Sequence, residues 1–232
     1  MACAALLSKN LRDRLRKGGP PVATVDPYRF QELHFDGRSL ILDWAGRAVA
    51  QTECADRDSF EPFIFGWIAL NGWATCVTGE DLDFQYLDAL ISDSNLAREF
   101  NERLSAGLFD AAREFQSLWP IFCSKDIGYN ADPSGDRQQL IRRYRKINPS
   151  PGFRPECTFE HLDRGEEVPL DWPHTLSAIY RVRSNLFHGY KGVHSENDVL
   201  IVSRAFRVLV RLLPMLIPTL RLPSVEGTRS AG

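Results

Sequence analysis

Hardly any segment of this 232-residue chain alternates apolar and polar side chains as a half-buried strand must. Apolar residues recur instead at helical spacing, as in Ser39–Thr52, and strong stops close the candidate helices. Lys17-Gly18-Gly19-Pro20-Pro21 ends a first amphipathic segment, Pro120 ends another, and Asn148-Pro149-Ser150-Pro151-Gly152 a third. There is no internal repeat, no low-complexity run and no Gly-rich phosphate loop after a strand. These features predict an all-α helical bundle.

Along the chain, the first helix is predicted over 3–17, followed by a Gly/Pro linker over 18–27 and a short extended piece over about 28–36. Asp58 or Ser59 is the predicted cap of a long aromatic helix reaching Cys76, with Glu61 and Pro62 tolerated in its first turn. Helices follow over Asp81–Ser92, Ser94–Arg103 and Ser105–Trp119, then a loop over 123–136 and a helix over Arg137–Ile147. Ser150–Pro173 is an irregular insertion. His174–His188 forms the next helix with Gly189 as its C-cap, and Asn197 or Asp198 starts a last helix to about Leu213. The expected organisation is an N-terminal extension over 1–56, a helical domain over 57–222 and a disordered tail over 223–232.

Composition bounds the function classes. The formal net charge is −2, so nucleic acid would have to be met by local patches. Arg137, Arg142, Arg143, Arg145 and Lys146 cluster around Tyr144, and Arg204, Arg207 and Arg211 form a one-sided helical stripe. A solvated helix face is the competing reading of both. The start of the chain does not read as a signal peptide, and no apolar run reaches the roughly 18 residues of a membrane span. The five cysteines are scattered without a CxxC, which reads as reduced thiols of a cytoplasmic protein. Cys157 and His161 lack a second ligand pair at zinc spacing, so no metal and no cofactor is expected. The acidic run Glu80-Asp81-Leu82-Asp83 reads as a cap or a solvated face.

The chemistry-bearing stretch is Arg183-Ser184-Asn185-Leu186-Phe187-His188-Gly189-Tyr190-Lys191. An arginine offers a rigid fork of donors for phosphate oxygens, and a histidine changes protonation near neutral pH and serves as general acid or base. At about 100° per residue, Arg181, Ser184, Asn185 and His188 share one helical face, opposite Ile179, Val182 and Leu186. Arg183 falls roughly 140° from His188. Joint action therefore needs its side chain to wrap round, a distorted helix end, or a second subunit. The competing reading of Arg183 is a structural arginine that pairs with a carboxylate or caps carbonyls.

Arg-x4-His in this setting resembles the HEPN superfamily (higher eukaryotes and prokaryotes nucleotide-binding domain). The aromatic run Phe60–Trp73 resembles the early helix of its larger members, and the two matches bracket about residues 57 to 215. The resemblance implies a metal-independent endoribonuclease of a phage-defence or toxin–antitoxin system, working as a homodimer with its site where two protomers meet. It implies Arg183 and His188 as catalytic residues, and RNA or phosphate contacts from Ser184, Asn185, Lys191 and Arg181, with Asn71 of the aromatic helix hydrogen-bonding Arg183 or a phosphate. Tyr190, two residues after His188, is similar to the tyrosine that nucleotidyltransferase antitoxins adenylylate. The implied products are a 2′,3′-cyclic phosphate and a 5′-hydroxyl, and the implied partners are RNA and an antitoxin or defence-system protein. The alternative is a non-catalytic module of the same type, binding nucleotide, RNA or a partner protein.

Overall fold

The computed structural model describes residues 23–121, 161, 165–189 and 192–220, and these residues form helices and no strand. In chain order they are α1 (Tyr28–Glu32), α2 (Phe35–Val49), a 3-10 turn (Asp56–Asp58), α3 (Phe60–Thr78), α4 (Asp83–Ser92), α5 (Ser94–Arg103), a π-helical turn (Leu104–Leu108), α6 (Phe109–Gln116), α7 (Trp172–Phe187) and α8 (Glu196–Leu216). The architecture is the all-α bundle that the helical spacing predicts.

Helix α3 is apolar nearly all round, and a helix of that kind has to be enclosed. Phe63, Trp67, Leu70, Trp73 and Val77 are all buried on it. Helix α2 covers one side with Ile41, Ala45 and Ala48, and α8 covers another with Val202, Phe206, Leu209 and Leu213. Gly66 makes room for both. A Cβ at that position would lie 3.2 Å from Leu209 Cδ2 and 3.6 Å from Ala48 Cβ, so a side chain there would force a neighbour back. Helix α7 closes the bundle against α8, α5 and α4, with the Trp172 indole N–H donating to the Leu90 carbonyl at 2.7 Å.

Several boundaries differ from the sequence expectation. The piece over 28–36 is not extended: Pro27 starts a short helix that buries Phe30, and α2 begins at Phe35 under a His34 cap. A single apolar contact into the core outweighs the weak local pattern there. Ser59 precedes α3 without capping it, because its hydroxyl donates back to the Asp56 carbonyl at 2.7 Å. The helix expected over Ser105–Trp119 starts as a π-helical turn in which Gly107 has φ +112°, and regular helix runs only from Phe109 to Gln116. Helix α7 starts at Trp172, where Asp171 accepts from the His174 amide at 3.0 Å. Residues 3–17, 123–136, the helix expected over Arg137–Ile147 and the tail over 223–232 lie outside the described residues, as does most of the expected insertion over Ser150–Pro173.

The arginine stripe of α8 is engaged within the fold. Asp56 accepts from Ser203 Oγ at 2.5 Å, Arg207 Nη2 at 2.8 Å and Arg204 Nη1 at 3.1 Å. Arg204 Nε also pairs with Glu114 at 2.8 Å, and Arg211 donates to the Arg207 carbonyl at 2.8 Å. One carboxylate thus ties the turn before α3 to α8. The hydrogen bond from Ser203 first, then the two guanidinium charges, hold the Asp56 carboxyl below its ordinary range. A depressed carboxylate adds stability above its unfolded pKa and loses it as pH falls through the folded value. Asp56→Asn is therefore expected to lower stability by about 1–2 kcal/mol at pH 7, with partial exposure limiting the effect. The gap from the parent protein should close below the ordinary carboxylate pKa of about 3.9. Urea unfolding at a series of pH values checks both the size and the sign.

Candidate functional site

The motif falls at the C-terminal end of α7. His188 is the exposed C-cap residue, and Gly189 follows at φ +70°, the left-handed conformation that ends a helix. Arg183 lies one turn earlier with its side chain 22% exposed. Its guanidinium is enclosed by three rings: Phe187 at 4.7 Å, Trp67 at 5.5 Å and Tyr180 at 6.0 Å from ring centroid to Cζ. The contact with Phe187, the residue before His188, carries the guanidinium along the helix toward its C-terminal end.

The charge of Arg183 is balanced inside the chain. Its Nη1 lies 2.8 Å from Asp83 Oδ2, at the first residue of α4. The other carboxylate oxygen, Oδ1, is 3.0 Å from the Tyr86 hydroxyl, which also lies 2.5 Å from the Asn71 side-chain oxygen. One phenolic proton cannot serve two acceptors. Turning the Asn71 amide over places its N–H2 on the phenol oxygen and frees the phenol to donate to Asp83, which satisfies every member of the chain. Burial first, then the Asp83 charge, pushes the Tyr86 phenol above its ordinary range, so it remains a donor. The carboxylate–arginine pair is the structural reading of Arg183, and the acidic run read as a cap or solvated face in fact supplies its counter-ion. No local pattern announces that pairing, because Asp83 and Arg183 are a hundred positions apart.

The other candidates separate. Asn71 is drawn in, reaching Arg183 through Tyr86 and Asp83 and not by direct contact. Asn185 is 1% exposed and belongs to the interior, so the face shared by Arg181, Ser184, Asn185 and His188 is not a continuous solvent strip. Helix α7 is flanked by α4, α5 and α8, which leaves a narrower open arc than a helical wheel allows. Arg181 and Ser184 are half-buried. Tyr190 and Lys191 lie outside the described residues, as does the patch from Arg137 to Lys146. Leu82 and Phe84, either side of Asp83 in the chain, and Phe187 against Arg183 are exposed apolar side chains.

A second polar cluster lies at the other end of α7. His161 Nδ1 is 3.0 Å from Glu166, His174 Nδ1 is 2.6 Å from Asp171, and the two rings meet edge-on at 5.7 Å. Each imidazole is thereby held by a carboxylate. Among the described residues no group of three or more His, Cys, Asp or Glu side chains is arranged to hold a metal ion. No family model matches this chain, and neither curated proteins nor solved structures give a significant match.

Burial separates the two polar residues of the motif in a measurable way. Asn185→Ala should cost about 1–3 kcal/mol, since it removes a fully buried amide. His188→Ala should change stability by less than about 1 kcal/mol because the side chain is exposed. Thermal unfolding followed by circular dichroism checks the contrast, and equal losses would contradict the placement of the two residues.

Proposed function

We propose that the protein is a metal-independent endoribonuclease of the HEPN type, acting in phage defence or as a toxin, in the cytoplasm and as a homodimer. The observation that supports this reading is that the Arg183 guanidinium lies against Phe187, the exposed residue directly before the exposed His188 at the helix end. On this reading a fixed positive charge and an exposed general acid–base group act together without a metal.

In the proposed reaction the RNA 2′-oxygen attacks the adjacent phosphorus while its proton passes to His188, or His188 in its protonated form gives a proton to the departing 5′-oxygen. The new bond is 2′-O–P and the broken bond is P–O5′, which yields a 2′,3′-cyclic phosphate and a 5′-hydroxyl. Arg183 stabilises the charge that accumulates on the phosphorane oxygens, with Lys191 as a second cation. DNA lacks the nucleophile and should survive. A homodimer pairing two motif helices would bring two such sets together, with Phe187 available for the contact, and an antitoxin or defence-system protein is the proposed regulator. No helix among the described residues is long and apolar enough to cross a membrane.

A second reading, a non-catalytic module that binds a partner protein, is favoured by two observations. Asp83 neutralises Arg183, and Leu82 and Phe84 flanking Asp83 in the chain, with Phe187 against Arg183, are apolar and exposed.

Incubation of single-stranded RNA with the full-length protein in EDTA separates the two. Cleavage to cyclic-phosphate ends is expected for the parent protein, with a loss of at least about 100-fold in His188→Ala, as removal of an acid–base group implies. Full activity in a folded His188→Ala protein would overturn the mechanism, and binding without cleavage would favour the second reading.

A further inference from the structure

Arginine carries five N–H donors, and a buried guanidinium leaves few of them idle. Arg183 uses little of this capacity. Nη1 is on Asp83, Nε is buried without a hydrogen-bond partner, and among the described residues no hydrogen bond or ion pair is made by Nη2. The rings of Phe187, Trp67 and Tyr180 stack against the group but accept no strong hydrogen bond. Nε is covered by protein atoms, which leaves Nη2 as the donor that an incoming phosphate or carboxylate oxygen can reach.

The occupied arm is braced to unusual depth. Asp83 Oδ2 meets Nη1 while Oδ1 receives the Tyr86 hydroxyl, and Tyr86 is in turn hydrogen-bonded to Asn71 in the middle of α3. Tyr86 is fully buried, so rotation of the carboxylate away from Arg183 costs the hydrogen bond it receives from the phenol in the core. The plane of the guanidinium is fixed by the rings and its rotation within that plane by Asp83. We infer that Asp83, braced by Tyr86 and Asn71, is the positioning residue of this site: it holds one arm of Arg183 and leaves Nη2 as the donor for an oxygen of a single phosphodiester group.

This rests on the ribonuclease reading for its kinetic part and on geometry alone for its binding part. Asp83 has two opposed effects on such a seat. Its negative charge repels the incoming phosphate and weakens ground-state binding, while its ion pair holds the guanidinium where transition-state charge develops. Removing the charge with little change in shape should therefore split binding from turnover. A purely structural ion pair would not do so.

The test uses the full-length protein, a fluorescent single-stranded oligodeoxynucleotide that cannot be cleaved, and RNA of the same sequence for kcat and KM in EDTA. Asp83→Asn is expected to tighten the Kd for the oligodeoxynucleotide by about 3- to 10-fold. The same change is expected to lower kcat on RNA by about 10- to 100-fold, as misplacement of a catalytic charge does. Arg183→Ala should weaken oligonucleotide binding. Tyr86→Phe keeps the ion pair and removes the brace, so kcat should fall several-fold with Kd unchanged, and this variant carries the test if Asp83→Asn does not fold. Binding that weakens in Asp83→Asn as it does in Arg183→Ala overturns the inference, and so does a folded Asp83→Asn or Tyr86→Phe protein with parental kcat and Kd. If the parent protein binds the oligodeoxynucleotide but leaves RNA intact, the ribonuclease reading fails. The Asp83→Asn affinity then decides the seat alone, with tighter binding supporting it and unchanged or weaker binding overturning it.

Discussion

Enclosure of α3 is the constraint on which the rest of the structure depends. A nineteen-residue helix with Phe63, Trp67, Leu70, Trp73 and Val77 buried has no stable solvent-facing state, and it recruits α2 and α8 to its flanks. Gly66 sets how near those flanks come, and Asp56 fixes α8 against the turn that leads into α3. Arg204 and Arg207, two of the three arginines of the α8 stripe, are consumed in that second task. A charged stripe in a sequence is therefore a poor guide to binding until its counter-ions are known.

The candidate site grows out of the same helix. Trp67 supplies one wall of the cage around Arg183, and Asn71, one turn later, begins the hydrogen-bonded chain that runs through Tyr86 to Asp83. An apolar core element thus carries a polar interruption that reaches a guanidinium at the surface. The cost of burying Tyr86 and part of Arg183 is offset only while the chain stays complete, so the same contacts that stabilise the fold also define where the arginine can sit. Stability and positioning cannot be separated at Asp83 by removal of the side chain, which is why a change of charge at constant shape is the informative one.

The two polar ends of α7 contrast. At the N-terminal end His174 and His161 each face a carboxylate and one another, in a buried setting. At the C-terminal end His188 is exposed and follows an exposed phenylalanine beside a caged arginine. A histidine able to exchange protons with a ligand must be reachable, and only the second arrangement offers that.

Helical class, the long aromatic helix, the Ser94–Arg103 helix and the Gly189 stop were legible from the chain, because periodicity and stop signals act over a few residues. The motif was legible as a combination of residue types at the end of one helix, and so was the possibility that Arg183 has a carboxylate partner. Which carboxylate, and that Asn185 turns inward while His188 stays out, was not. Those outcomes depend on α4 and α8 arriving beside α7 from distant parts of the sequence. The same holds for α1, where burial of Phe30 overrides a weak local pattern, and for Arg204 and Arg207 of α8, which met Asp56 only once the chain had folded back by about 150 positions. Local spacing determines which faces a helix can present. Tertiary packing decides which of those faces meets solvent, because contact with a distant element is worth more than the propensities of the residues that form it.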